Sequence, residues 1–230
     1  IKQYEIMTKV DTNLAGQGRF GKLFYAVVRS ILVPLCRSYF RLSVKGRENI
    51  PKTGAFILAP IHRSNIDTPI SCAVTTRRLR YMGKDSLWKI RPVGSVLSAL
   101  GGFPVTRGTA DLEALKRCLA VLALGEPLVM FPEGTRQFGD LIQPLFDGAA
   151  YLSIKANVPI VPVGIGGTQA VMPKGKKMIY PKKCTLIIGA PIYPPQATTG
   201  RTPRTATTEL TANLKSALQD LFDAAQLAAR

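Results

Sequence analysis

Residues 54–69 read GAFILAPIHRSNIDTP, an apolar run that stops at a proline and hands over to the single histidine of a 230-residue chain. The first seven residues, GAFILAP, have the length and the continuous apolar character of a strand buried on both faces, as in a parallel sheet covered by helices. The polar stretch IHRSNID then falls just beyond the carboxyl end of that strand, where ligands of α/β proteins gather. Asp67 opens a short helical segment running through Pro69 to Val74. One stretch thus predicts both an α/β fold and the place in it where chemistry belongs.

Outward from it the same alternation continues. Short apolar runs at 79–83 (LRYMG), 103–107 (FPVTR), 127–132 (PLVMFP), 159–165 (PIVPVGI) and 184–190 (CTLIIGA) are separated by helical candidates, the pattern of a largely parallel sheet with crossover helices. Residues 110–124 place Leu112, Leu115, Leu119 and Leu122 on one helical face, and 205–229 do the same with Leu210, Leu214, Leu218, Leu221 and Phe222; both read as core stripes. Between them, PIYPPQATTGRTPR at 191–204 has the composition of a surface loop. The length suits a single α/β domain with a mostly parallel sheet flanked by helices.

Upstream, RFGKLFYAVVRSILVPLCR at 19–37 puts Phe20, Leu23, Phe24, Val27, Val28, Ile31, Leu32 and Leu35 on one face and Arg19, Lys22 and Arg29 on the other. Such a basic amphipathic helix is either a membrane-interface anchor or a helix docked on its own core. The chain accordingly divides into an N-terminal amphipathic, membrane-associating segment at 1–40 and a domain at 41–230. No stretch reaches the ~18 consecutive apolar residues that a spanning helix needs.

Thirty-one Lys and Arg against fourteen Asp and Glu leave a net charge of +17, which calls for anionic partners: nucleic acid, phosphorylated small molecules or an acidic membrane. The charge comes without a helix-turn-helix, zinc-finger or RNP signature and without aromatic residues interleaved among the cations, so nucleic acid is the least supported of the three. Cys36, Cys72, Cys118 and Cys184 form no CxxC pair, and one histidine rules out the usual His-containing zinc clusters. They read as reduced thiols of a cytosolic setting, and no metal is implied.

A gap of five residues across a turn lets the Asp67 carboxylate reach back to one ring nitrogen of His62, fixing the tautomer and stabilising the imidazolium once the other nitrogen takes a proton. The alternative is a histidine hydrogen-bonded in a turn. Ser64 stands two residues from His62, but the chain has no GxSxG elbow, so the base is better suited to deprotonating a substrate hydroxyl directly than to activating a serine. Three more stretches bear on the choice. GGFPVTRG at 101–108 sets glycines beside Arg107, FPEGTR at 131–136 follows a strand with Glu133, Gly134 and Arg136, and VPIVPVGI at 158–165 is a proline-punctuated strand. Both arginines stand at predicted strand ends beside glycines that let backbone amides approach an anion.

In order and spacing, HRSNID, GGFPVTR, FPEGTR and VPIVPV resemble the four blocks of the glycerophospholipid acyltransferase superfamily, and within it the 1-acylglycerol-3-phosphate acyltransferases. The resemblance covers roughly residues 40–195; Ile61, where many members carry Asn, and Pro104, where bulky aliphatics are common, depart from it and bear on acceptor preference. It implies a glycerol-3-phosphate acyltransferase-like fold and transfer of a fatty acyl group from acyl-CoA or acyl-carrier protein to the free hydroxyl of 1-acylglycerol 3-phosphate, giving phosphatidic acid. His62 would be the general base and Asp67 its orienting partner. Arg107, Arg136 and Lys84 would bind the substrate phosphate, Lys84 being as readily a solvated lysine. Glu133, Gly134 and Ser64 would position substrate, with Glu133 holding Arg136 or an acceptor hydroxyl and amides near Gly134 as candidates for the oxyanion hole. The thioester is a co-substrate and no cofactor is implied. Expected partners are lysophospholipid, the acyl donor and an anionic membrane surface at the cytoplasmic face, met peripherally or monotopically. Other acceptors (glycerol 3-phosphate, another lysophospholipid, a glycolipid) use the same chemistry, and a non-catalytic module binding anionic lipid is the alternative from a different class.

Overall fold

Strands β2 (Ile57–Pro60) and β6 (Ile160–Gly166) are buried along their whole length and run side by side in parallel, with Ile57 opposite Ile160 and Pro60 opposite Val163. Their unbroken apolar character has that cause, since neither face of the sheet meets water here. The computed structural model describes residues 18–105, 112–173, 178–195 and 204–230. Within them, β5 (Leu128–Val129), β3 (Arg80–Lys84) and β4 (Gly102–Val105) extend the sheet on one side of β2, and β7 (Thr185–Ile188) and β1 (Ser43–Lys45) extend it beyond β6. The strand order is β1-β7-β6-β2-β5-β3-β4. Every pairing is parallel except β6 with β7, so the mostly parallel α/β sheet expected from the sequence is present, with one reversal that its apolar runs did not announce.

After β2 the chain leaves to one side, builds β3, β4 and β5, and then crosses to the other side of β2 to build β6. The strand order therefore reverses around β2, and a crevice opens at its carboxyl end for purely topological reasons. Helix α1 (Arg19–Tyr39) precedes the sheet, and α2 (Asp67–Ser71), α3 (Arg91–Ala99), α4 (Leu112–Ala123), α5 (Gly148–Ala156), α6 (Thr168–Val171) and α7 (Arg204–Ala229) follow in chain order. The last of these lies directly on β6. A Cβ at Gly164 would meet the Leu221 carbonyl at 2.2 Å and one at Gly166 the Ala225 carbonyl at 2.0 Å, so only glycines let helix and strand backbones come this close. Leu210, Leu214, Leu218 and Phe222 of α7 are buried, as the stripe predicts.

Two helices differ in part from their sequence readings. In α4 the buried residues are Ala114, Cys118, Val121 and Leu122, with Leu115 and Leu119 packed against the core, so of the expected stripe Leu112 alone is exposed. In α1 the inward side is Gly21, Tyr25, Val33 and Cys36, and the apolar face points out, with Phe20 76% and Leu23 64% exposed and Val27, Ile31 and Leu35 also exposed. Arg29 is not on a solvated face: its Nε donates to the Cys72 and Thr75 carbonyls at 3.0 and 2.8 Å. It satisfies carbonyls at the end of the α2 segment that no further helical turn reaches. Among the described residues no helix is long and apolar enough to cross a membrane.

Candidate active site

The β2 ladder carries the chain to Pro60, Ile61 still bonds to the Val163 carbonyl at 3.1 Å, and the next residue is His62. Its Nδ1 lies 3.0 Å from Oδ2 of Asp67, which is wholly buried at the start of α2. The same Oδ2 accepts the backbone N–H groups of Arg63 at 2.6 Å and Ser64 at 2.5 Å. A carboxylate oxygen that gathers two amides and an imidazole is held in one position, and it selects the ring tautomer with the proton on Nδ1. Nε2 is thereby left as the proton acceptor. Ser64 Oγ is engaged at 3.4 Å by the Ile66 amide in the same turn, a local turn bond and not a nucleophile's arrangement.

The adjacent strand supplies the second half of the site. β5 ends early because residues 131–134 turn away from the sheet: the Gly134 N–H donates to the Phe131 carbonyl at 3.0 Å, with Gly134 at φ +69°. Phe131 stacks on the His62 ring, centroids 4.2 Å apart and planes 26° from parallel. Glu133 is 1% exposed. Its Oε2 accepts the His62 N–H at 2.9 Å, and both of its oxygens accept from Arg63 Nη1, at 2.7 and 2.9 Å. The Gln137 N–H returns a bond to the His62 carbonyl at 2.8 Å. The peptide of His62 is thus gripped at both ends by the chain that follows β5.

The structure brings His62, Asp67, Ser64, Glu133 and Gly134 together at the carboxyl ends of the two neighbouring strands. It gives Glu133 to Arg63 and not to Arg136, and both carboxylate oxygens accept hydrogen bonds from within the protein. Of the amides near Gly134, that of Gly134 donates to Phe131, that of Thr135 to the Glu133 carbonyl at 2.7 Å, and that of Gln137 to His62. Arg136 and Lys84 are exposed cations after β5 and at the end of β3. Arg107 lies outside the described residues. Arg63 and Phe131 carry no mark in the sequence reading; the one signal for Arg63 was a cation next to the histidine in a stretch otherwise bound for the interior.

Beside the site is an apolar cavity of about 290 Å³, walled by Thr68 and Pro69, which directly follow Asp67, and by Tyr25, Leu32, Tyr81 and Leu97. Burial pushes the Tyr25 phenol up to about 12, and a Cys72 thiol on the same wall up to about 11.

Residues 41–166 match the model of the Acyltransferase family. A 1-acyl-sn-glycerol-3-phosphate acyltransferase of Bacillus subtilis is 29% identical over 153 residues, 66% of this chain and 74% of that one. The chloroplastic 1-acyl-sn-glycerol-3-phosphate acyltransferase BAT2 of Brassica napus is 28% identical over 159 residues, 67% of this chain but 46% of its own length. The crystal structure of the 1-acyl-sn-glycerophosphate (LPA) acyltransferase PlsC from Thermotoga maritima superposes with a TM-score of 0.68 at 25% identity, covering 99% of this chain and 93% of that one. With more than half of its length accounted for by one family's pattern and nearly all of it by one member's fold, the chain belongs to the Acyltransferase family and is an O-acyltransferase.

Proposed function

We propose that the protein transfers a fatty acyl group from acyl-CoA or acyl-carrier protein to the free hydroxyl of 1-acylglycerol 3-phosphate, giving phosphatidic acid. The observation that carries this reading is the His62 Nδ1 to Asp67 contact of 3.0 Å, which leaves Nε2 free in a chain with no other imidazole. Nε2 takes the proton of the acceptor hydroxyl as its oxygen attacks the thioester carbonyl, and Asp67 stabilises the imidazolium. The tetrahedral oxyanion collapses, the thiolate leaves, and it takes the proton back from Nε2. A thioester is already activated, so this chemistry calls for no metal and no cofactor beyond the acyl donor. Arg107, Arg136 and Lys84 are the cations assigned to the acceptor phosphate. The apolar cavity beside Asp67 is suited to an acyl chain.

Both substrates carry acyl chains, and the outward apolar face of α1 together with the +17 charge fits peripheral contact with an anionic membrane surface, placed at the cytoplasmic face where the thioesters are made. The test is transfer from radiolabelled palmitoyl-CoA to 1-acylglycerol 3-phosphate in liposomes. Phosphatidic acid is expected, with His62→Ala slower by ~10² or more, since general-base action is typically worth that much. Product only from another lysolipid or from glycerol 3-phosphate would move the acceptor. An undiminished His62→Ala variant would remove the base.

A further inference from the structure

From these contacts we infer that Glu133 and Arg63 are positioning residues, a buried clamp that sets the His62 imidazole in place and takes no part in binding substrate. The inference rests on the proposed acyl transfer for its kinetic readout only. Three observations carry it. Both side chains are fully buried, so the carboxylate faces the protein interior and not the mouth of the site. Both Glu133 oxygens are occupied, Oε1 by Arg63 Nη1 at 2.7 Å and Oε2 by Arg63 Nη1 and the His62 N–H, each at 2.9 Å. Arg63 in turn reaches three other parts of the chain: Nη1 the His62 carbonyl at 3.3 Å, Nη2 the Leu141 carbonyl at 3.2 Å, and the guanidinium plane the Phe222 ring of α7 at 4.9 Å.

The consequence is geometric. Asp67 orients the ring through Nδ1, but it belongs to the same turn as His62 and would move with it. Glu133 lies in the turn that follows β5, so the pair Arg63–Glu133 adds a second anchor on the β5 side to the one His62 has through the Ile61–Val163 bond of β2. General-base transfer needs heavy atoms within hydrogen-bond reach of the substrate proton, and a displacement of ~1 Å costs on the order of 10²-fold.

The experiment uses Glu133→Gln, Arg63→Met and the double variant Arg63→Met/Glu133→Gln in the whole chain. It reads kcat and KM for 1-acylglycerol 3-phosphate, and separately the ¹⁵N ring signals of the sole histidine. A clamp lowers kcat by ~10–10²-fold in either single variant with KM for the acceptor unchanged. The double variant is then no worse than the singles, because the two residues act as one unit, and the His62 signals move in all three. A raised acceptor KM with kcat and ring signals unchanged overturns the clamp and makes Glu133 a substrate ligand. Where a single variant loses its far-ultraviolet circular dichroism, the double variant, which strands no buried charge, decides. If the wild type transfers to no acceptor, the proposed function fails, and the ring signals alone still decide for or against the clamp.

Discussion

Asp67 is the residue at which shape and charge can be separated. Replaced by Asn with its oxygen in the place of Oδ2, it still accepts the Arg63 and Ser64 amides and the Nδ1 proton, but it no longer presents an anion to stabilise the imidazolium. Asp67→Asn is therefore expected to fold, to bind acceptor with unchanged KM, and to lose ~10²–10⁴-fold in kcat in steady-state assays. Gly134 makes a different demand. At φ +69°, with a would-be Cβ 2.6 Å from the Phe146 ring, Gly134→Ala is expected to cost about 1–3 kcal/mol of unfolding free energy in urea. Adding Phe146→Ala should return the steric share and leave the backbone share. The dyad and the turn glycine were legible in the sequence because each is a local matter: five residues of spacing in one case, a Glu-Gly-Thr turn in the other. The partner of Glu133 was not. Arg63 lies 70 positions away, and only the adjacency of β2 and β5 brings the two together; Arg136 is nearer in sequence and therefore the more natural guess.

At the scale of elements, α1 shows what a hydrophobic pattern specifies and what it leaves open. The helix and its apolar face are evident from sequence, yet the face that docks on the protein is the other one, built from Gly21, Tyr25, Val33 and Cys36. A face so poor in large aliphatics leaves little periodic signal, and a neighbour such as the Arg29 contact with the 72–75 carbonyls cannot be read from periodicity at all. The orientation yields a prediction about lipid. Burying a leucine or isoleucine in an apolar medium is worth about 1.5–3 kcal/mol, so Leu23→Glu/Ile31→Glu should cut sedimentation with anionic vesicles by at least about tenfold. Because both side chains are exposed, the melting temperature of the variant should match that of the wild type within about 2 °C. The short helices α3 and α5 left no comparable trace; five of the nine residues of α5 are buried, and an element covered on most sides has no periodic face to show.

The whole molecule responds to alkali through its buried acids. Burial holds the Cys72 and Cys184 thiols at about 11 and about 12 against 9.0 outside the fold, and the Tyr25 phenol at about 12 against 10.0. Below pH 9 folded and unfolded chains hold these protons alike and the stabilisation is complete. From pH 9 to 12 the unfolded chain ionises first, so stability drains away as pH rises through that window. Melting temperatures recorded from pH 8 to 11 should fall steadily above 9, and Cys184→Ala should fall less steeply. The sheet's parallel character and the carboxyl edge at which His62 sits followed from the apolar runs and their flanking glycines and prolines. The reversal at β7 did not, because a four-residue strand such as TLII carries no mark of direction.

The close seating of α7 on Gly164 and Gly166 bears on how the chain is made. Synthesis runs from the amino end, so β6 leaves the ribosome about forty positions before residues 204–229, the helix that covers it. During that interval the central strand offers a bare, glycine-notched apolar surface that no earlier element fits at backbone contact. A nascent protein in this condition is prone to mispairing and to capture by chaperones, and pausing of translation within residues 167–203 should lower the yield of folded protein more than pausing before β6.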